Sequence, residues 1–428
     1  MYTYLQESLE SYTEATGPIR VCVVGIGFIA QGLIIEMSRM EREFFFPAVV
    51  VYRDIDKLYR CLDNCERIYK IRICNSPEDV NQARKNGEIA AIKNYQLAFE
   101  ANIDIVADLT GDAAYGAEIA YETIKHHCNI VASPEIDICL GHFFSNLADQ
   151  HNVVYSGFSG DEPGEIRNLY SYVKMTALDI IAVGKFKNYI NRYANPTSVQ
   201  KWADLYQQNP IKLSSFADGT KMNIEMGITA NALGLVPDVP GMNSPEGSLD
   251  TVTELIRLKE DGGILSKKGV IEIVRNVEPT GGVFVIGYTT NKALVSDLKY
   301  YKMGNGPYYL FYKPYHLCAF EMLMGIAKNV VFKSSVIKPL KEKKCDVLVY
   351  AKKDLKAGDT LDEIGGYTYY GLLEDIKEVS VRNYLPVSLA TGCILKKDIQ
   401  KDELITLKDV EFNEQSILWT LLSTQYKR

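Results

Sequence analysis

The apolar run Ile19–Val24 gives way to Gly25-Ile26-Gly27, and apolar residues then recur at helical spacing to about Met40. That succession predicts strand, tight turn and helix. The apolar cores of "PAVVVYRDID" (47–56) and "IDIVADLTG" (103–111) predict two further buried strands, and "AAYGAEIAYETIKHHCNIVAS" (113–133) a helix leading into another. Strands alternating with helices build a parallel sheet with helices on both faces, and ligands of such sheets lie at the carboxyl ends of the strands.

After "HNVVYSGFSGDEPGE" (151–165) the pattern shifts toward antiparallel elements with longer connections. "ALDIIAVGKFKN" (177–188) predicts an apolar strand with Lys185 and Lys187 on one face of its end. "DGTKMNIEMGITANALGLVPD" (218–238) predicts a helix on which Asp218, Lys221, Glu225 and Thr229 form one polar stripe among Ile224, Met226, Ile228, Ala230, Ala232 and Leu233. Two readings stand for that stripe: a solvated face laced by ion pairs, or the wall of a catalytic cleft. Pro314 predicts the start of a helix running to about Lys328, and "KPLKEKKCD" (338–346) reads as a short exposed linker. Beyond it, "AKKDLKAGDTL" and "LKKDIQKDELIT" are similar phrases of the kind that builds short strands around tight turns.

The fold class expected is therefore α/β, in three parts. Residues 1–155 form an N-terminal Rossmann domain and residues 156–337 a central α+β domain, whose helix at 314–330 is free to pack back on the first; residues 346–428 form a small β-rich module.

Composition narrows the function. The chain has 428 residues, 47% hydrophobic and 24% charged, with a net charge of −7 and no basic patch, which argues against nucleic acid as a partner. No run approaches the roughly 18 apolar residues of a membrane span, and the acidic start lacks the pattern of a secretory signal, so a cytoplasmic protein is expected. Nine cysteines include the close pair in "CLDNC" (61–65), which has no second pair or suitable histidines to complete a zinc site, so free thiols are expected. His126 and His127 end a predicted helix, where a positive dipole partner is commonplace. The 28 tyrosines against 15 phenylalanines carry no functional reading.

The first turn carries the candidate cofactor site. Gly25 permits the turn, Gly27 lets the backbone approach a pyrophosphate, and Ala30 allows close helix–strand packing, while the amides of Phe28, Ile29 and Ala30 face the phosphates at the helix start. At the next strand end Arg53 precedes Asp54, which favours the 2′-phosphate of NADP over the free hydroxyl of NAD. Thr110, Gly111, Ser133, Pro134 and Glu135 follow later strands and join the candidate contacts, as does Gly304 in the tight "GNGP" loop. The paired Lys185 and Lys187 repel unless screened by solvent or joined by an anion, so a phosphate or carboxylate substrate is one reading and a solvated strand end the other.

The phrases "VVGIGFIAQG", "GDEPGE", "AVGKFKN", "ADGTKMNIEMGITANALGLVPDVPGM", "NGPYYLFYKPYHL" and the paired C-terminal phrases resemble the homoserine-dehydrogenase-like oxidoreductases with a C-terminal SAF domain. Among these the chain is most similar to the 1-deoxy-D-xylulose 5-phosphate reductoisomerase-like enzymes. The resemblance implies a homo-oligomer with NADPH-linked reduction of a phosphorylated keto-sugar after skeletal rearrangement, giving 2-C-methyl-D-erythritol 4-phosphate for isoprenoid precursor synthesis. It also implies substrate or catalytic roles for Asp218 and Lys221, with Lys221 or Lys185 giving a proton or stabilising an alkoxide and Asp218 and Glu225 orienting the lysines. Neighbouring lysines would lower the pKa of such an acid. If rearrangement precedes reduction, magnesium or manganese would have Asp161, Glu162 or Glu225 as ligands, although "GDEPGE" reads equally well as a turn and no metal site is assigned. Where homoserine dehydrogenases carry a lysine in a Thr-Ala-Asn-Lys phrase, "VASPEID" has Glu135, which cannot supply a cation to a developing alkoxide. A dehydrogenase of another hydroxy or carbonyl compound and a non-catalytic NADP-binding sensor are the alternatives.

Overall fold

The computed structural model describes residues 2–379 and 383–426 as two compact units. The first takes in the chain up to Asp161 together with Leu317–Lys338 and the end from Leu421; the second takes in Glu162–His316 and Pro339–Thr420.

The first unit is built on seven strands: β1 (Ile19–Val24), β2 (Phe45–Val51), β3 (Ile71–Ile73), β4 (Ile89–Ile92), β5 (Ile105–Asp108), β6 (Asn129–Val131) and β7 (Tyr155–Ser156). They lie in the order β3-β4-β2-β1-β5-β6-β7, every pair parallel. β1 and β5 are neighbours although three strands separate them in sequence, which makes their carboxyl ends the switch point of a Rossmann-type sheet. The central strands are mostly apolar because both faces are covered, the exceptions being Arg20 in β1 and Asp108 at the end of β5. Helix Phe28–Arg39 buries Leu33, Ile34 and Met37 against them. The late helix Cys318–Val331 packs on that helix at Gly32, where a Cβ would come within 2.8 Å of the Ala319 methyl carbon. It begins four residues after the expected Pro314, because the Glu321 carboxylate accepts the Leu317 amide at 3.1 Å and starts the helix there. Among the described residues no helix is long and apolar enough to cross a membrane.

The second unit holds a mixed sheet of β8 (Asp179–Lys187), β9 (Val236–Pro237), β10 (Val270–Arg275), β11 (Val283–Tyr288) and β12 (Tyr308–Lys313), ordered β12-β11-β8-β10-β9. β8 runs parallel to β10 and antiparallel to β11, and β12 is antiparallel to β11. Helices Glu162–Met175 and Thr220–Leu233 pack against this sheet and each other.

The helix expected over 218–238 is shorter, and Asp218 is not on it. Asp218 ends helix Pro210–Ala217, Gly219 turns the chain at φ 85°, and the second helix runs from Thr220 to Leu233 before Gly234 at φ 73°. From Thr220 to Ala232 every residue is buried except the half-buried Lys221, so the solvated-face reading fails: this helix lies in the core.

The C-terminal part of the same unit is β-rich. β13 (Cys345–Ala351) and β14 (Tyr369–Asp375) pair antiparallel over seven residues, and β15 (Ile394–Leu395) pairs with β16 (Val410–Glu411). The two similar phrases meet each other, with Leu355 and Ile399 exchanging backbone hydrogen bonds of 2.9 and 3.0 Å. The segment read as an exposed linker is anchored at its end, where the Lys343 ammonium pairs with the buried Asp346 and the Asn231 side chain accepts the amides of Lys344 and Cys345. Part of the tyrosine excess is structural here: Tyr193, Tyr308, Tyr350, Tyr370 and Tyr384 all donate their hydroxyls to carboxylates.

Candidate functional site

In the first unit, Gly25 adopts φ 98° and a Cβ there would stand 3.3 Å from the Leu109 carbonyl oxygen, so the turn requires glycine. Gly27 begins helix Phe28–Arg39 without a side-chain cap, and the first bond into that helix is Gln31 N to Gly27 O. The amides of Phe28, Ile29 and Ala30 are therefore left without intrahelical acceptors, while Ala30 is fully buried and the Phe28 side chain is 87% exposed. This arrangement fits a dinucleotide pyrophosphate. At the end of β2, Asp54 caps the following helix by accepting the amides of Asp56 and Lys57. Exposed Arg53 stands 5.7 Å from the Tyr115 ring centroid.

The loop after β5 is shaped by a residue the sequence reading overlooked. Asp108 is completely buried at the strand end and accepts both the hydroxyl and the amide of Thr110, while Gly111 follows at φ 64°. Burial pushes the Asp108 carboxyl up to about 6 against the pull of Thr110 and Ser133. Its signal was a carboxylate closing an apolar strand. Ser133 is buried at the start of helix Pro134–His151, with Glu135 half-buried in its first turn. Gly304 belongs to the second unit, at φ 108° in the loop before β12, with open space beside it.

The second unit concentrates charge around Lys185. The register places Lys185 of β8 and Lys313 of β12 both opposite Val283 of β11, in one row across three strands. Glu162 and Glu165 enter from the first turn of helix Glu162–Met175, and Glu225 from the middle of helix Thr220–Leu233. Lys185, 3% exposed, donates to Glu162 and, at 3.0 Å, to Glu225. Burial opposes its charge, but the two carboxylates prevail and hold its pKa above the ordinary lysine range. Lys313 donates to Glu165 at 2.8 Å. His316 bonds through Nδ1 to the Gly281 carbonyl at 2.6 Å, which makes Nδ1 the donor and leaves Nε2 3.5 Å from Glu162. Lys187, two residues beyond Lys185, lies 5.5 Å from the Phe216 ring centroid. Burial and then the neighbouring Lys185 lower its pKa, with Glu225 and Glu162 opposing.

These facts correct the sequence reading in three respects. Lys185 and Lys187 are not a bare pair awaiting an anion, because Lys185 is already matched by two carboxylates. The lysine with the lowered pKa is Lys187, not Lys185. Asp218 does not join Glu225: its carboxylate accepts the Thr220 amide at 2.7 Å and pairs with Lys352 of β13's exit at 2.7 Å. Lys221 lies one helical turn before Glu225 on the same helix. Glu165, Lys313 and His316 were missed altogether; only the phrases "GDEPGE" and "YKPYHL" marked them. Carboxylate oxygens of Glu162 and Glu225 lie within 4.8 Å of each other, a spacing suited to a divalent ion, but both are bound by the Lys185 ammonium. None of the nine cysteines, all of them described, is joined in a disulfide.

Residues 160–322 match the family model described as "Oxidoreductase DRL, catalytic domain", a span that includes every residue of the Lys185 cluster. The chain thus carries an oxidoreductase-type catalytic domain. No curated protein matches it. Similar solved structures include a "probable dehydrogenase" from Thermotoga maritima, 12% identical over 74% of this chain and 90% of its own, with a TM-score of 0.41. The myo-inositol 2-dehydrogenase of Lactobacillus plantarum is 13% identical over 74% and 91%, with a TM-score of 0.40. Biliverdin reductase from Synechocystis sp. PCC 6803, in complex with biliverdin and NADP+, is 14% identical over 46% and 56%, with a TM-score of 0.29. Likenesses of this order fix neither substrate nor activity.

Proposed function

We propose that this chain is an NADP(H)-dependent oxidoreductase that reduces a small phosphorylated or otherwise anionic carbonyl compound. One observation carries the reading: a buried carboxylate–ammonium–carboxylate group, Glu162–Lys185–Glu225, stands beside a second lysine whose pKa is depressed. Such pairs of titratable groups pushed in opposite directions are the usual mark of acid–base chemistry. The uncapped turn at Gly25–Ala30, with Thr110, Gly111, Ser133 and Glu135 at neighbouring strand ends, would hold the dinucleotide, and Arg53 its 2′-phosphate. NADPH supplies the hydride when bound.

The rest falls to the second unit. Lys187 gives its Nζ proton to the oxygen of the reduced carbonyl, a task its lowered pKa suits. Lys185, kept protonated by Glu162 and Glu225, is a fixed cation that holds Lys187 ready to release its proton. Glu162 exchanges protons with solvent through the part-exposed His316. Lys221 anchors an anionic group of the substrate. Magnesium or manganese would fit Glu162 and Glu225 only after Lys185 withdraws, and no step is assigned to a metal. A homo-oligomer is the proposed assembly: helix Lys292–Tyr300 buries none of its residues and exposes Leu294 and Tyr300.

The finer proposal is reductive isomerisation of 1-deoxy-D-xylulose 5-phosphate to 2-C-methyl-D-erythritol 4-phosphate, supported by the resemblance of the central phrases and the match at residues 160–322. Purified protein incubated with NADPH and that ketose, with and without Mg²⁺ or Mn²⁺, should oxidise the cofactor and form the branched alcohol. Simple reduction of other phosphorylated ketones instead would leave a plain dehydrogenase. If no phosphorylated keto-sugar draws on NADPH, the reductoisomerase reading is wrong, and a dehydrogenase of another compound or a cofactor-holding sensor takes its place.

A further inference from the structure

The C-terminal β-rich part touches the Lys185 cluster through two elements that frame it. Lys352, at the exit of β13 and 6% exposed, sends its ammonium to three acceptors at once. It pairs with Asp218 at 2.7 Å, where helix Pro210–Ala217 hands over to helix Thr220–Leu233. It also donates to the carbonyl of Ala194, in the loop that leaves β8 after Lys187, and to the carbonyl of Gly366 in its own segment, each at 2.7 Å. Two of its protons go to carbonyls, and the Asp218 carboxylate balances its charge.

Further bonds run in parallel. The Thr220 hydroxyl accepts the Gly371 amide at 2.9 Å, and the Asn223 side chain accepts the Leu373 amide at 2.8 Å, both from β14. Asn231 binds both amide and carbonyl of Cys345. A Cβ on Gly371 would come within 2.6 Å of Val347 and 3.0 Å of Thr220, so the close approach depends on glycine. Residues 220, 223 and 231 therefore fasten one face of the helix to β13 and β14, while Glu225 reaches Lys185 from the same helix. In the β8 exit loop, Tyr193 donates to Asp402 at 2.9 Å with Lys401 3.6 Å from its ring centroid, and Thr197 meets the Tyr367 hydroxyl.

We propose that the C-terminal part is a clamp on the acid–base cluster, with Lys352 as the positioning residue that fixes, through Asp218 and Ala194, the start of the Glu225 helix and the strand end bearing Lys187. This rests on the functional reading above, since it assigns a role within that site. Lys352 touches neither substrate nor cofactor; it acts by holding two elements in register, where a small displacement of reacting groups costs rate rather than affinity.

The test compares the full-length protein with Lys352→Met, which keeps the apolar stem and removes the ammonium. Amide hydrogen exchange should rise on the order of tenfold in residues 191–195 and 220–225, with the first-unit sheet unchanged. With the ketose as substrate, kcat should fall roughly tenfold or more, while KM and NADPH affinity stay within about twofold. Because the lone Asp218 carboxylate could unfold that variant, Lys352→Met/Asp218→Asn is made beside it, which removes both charges and keeps an acceptor for the Thr220 amide; the same pattern is expected. Unchanged exchange in both segments overturns the clamp, as does an unchanged kcat, and so does collapse of the whole second unit in both variants. If the unaltered protein reduces no carbonyl compound, the functional reading fails separately, and the exchange measurements still decide the clamp.

Discussion

Lys185 and Glu225 meet at 3.0 Å with 4% and 2% of their side chains exposed, and Glu162 completes the group from the other side. Both carboxylates also act on the neighbouring Lys187, so the pocket sets two acids against two lysines. Lys185→Met would remove the ammonium bonded to both acids, and breaking such a buried group costs about 3–5 kcal/mol at neutral pH. Thermal unfolding at pH 7 measures this, and a midpoint equal to that of the unaltered protein would contradict it.

Lys187 supplies a kinetic prediction. Its pKa is depressed below 10.5 by burial and by Lys185, so an acid at this position loses its proton earlier than an ordinary lysine as pH rises. The alkaline limb of kcat for carbonyl reduction should fall below that value. Lys187→Arg, always charged, should abolish the limb together with most of the rate, and Lys187→Met should cost roughly 10²-fold or more in kcat while NADPH still binds. A limb unaffected by Lys187→Arg would move the acid role elsewhere, with Lys221 the next to test.

His316 reaches Glu162 with its Nε2 only because its Nδ1 is held by the Gly281 carbonyl. His316→Asn removes the contact with Glu162, whereas His316→Gln retains a group of similar reach. If the histidine is the proton route to Glu162, both should slow steady-state turnover by roughly tenfold, with added imidazole restoring part of the rate. Rescue by glutamine alone, without imidazole, would indicate a structural hydrogen bond instead.

How far the sequence discloses this site depends on the range of the interactions. The first unit was legible because strands covered on both faces are apolar runs, and because the Gly25 turn, the helix start and Ala30 are adjacent in sequence. Lys185 with Lys187, and Glu225 on its helix, were also local patterns. The carboxylate partners were not: Glu165 and Lys313 are 148 residues apart and meet because helix Glu162–Met175 packs on β12, a contact that no local periodicity encodes. The same limit misread Asp218. A helical wheel cannot know that Gly219 breaks the helix, or that a lysine from the C-terminal segment will claim the carboxylate.

Asp108 allows a test of the first unit that needs no substrate. Its carboxyl is fully buried, and burial raises its pKa from 3.8 to about 6. A raised acid favours the folded state below the unfolded pKa and loses that contribution as pH climbs through the folded one, so the penalty for burying its charge is complete by about pH 7. The size follows from about 1.4 kcal/mol per unit, giving about 3 kcal/mol. Asp108→Asn keeps an acceptor for the Thr110 amide and hydroxyl and carries no charge. Its stability relative to the unaltered protein should therefore improve between pH 4 and pH 7 and level off above, read from denaturant midpoints. A constant difference across that range would mean that the carboxyl titrates normally.

The choice of cofactor turns on Arg53 and Asp54. A carboxylate at the end of the second strand ordinarily favours NAD by accepting the ribose 2′-hydroxyl. Asp54, however, spends its Oδ1 on the amides of Asp56 and Lys57 at 3.0 and 3.3 Å, capping helix Ile55–Asp63. Its neighbour Arg53 is exposed beside the Tyr115 ring and free to form the forked pair with phosphate that a guanidinium provides. Arg53→Ala should weaken NADPH binding by roughly tenfold, in keeping with the loss of a charge-assisted pair worth about 1.5–3 kcal/mol in part-exposed surroundings, and leave NADH binding almost unchanged. Asp54→Ala should instead lower stability by about 1 kcal/mol through the lost cap without altering the ratio of the two affinities. Titration of each variant with both reduced cofactors separates the roles, and an equal loss of NADPH and NADH in Arg53→Ala would place the 2′-phosphate elsewhere.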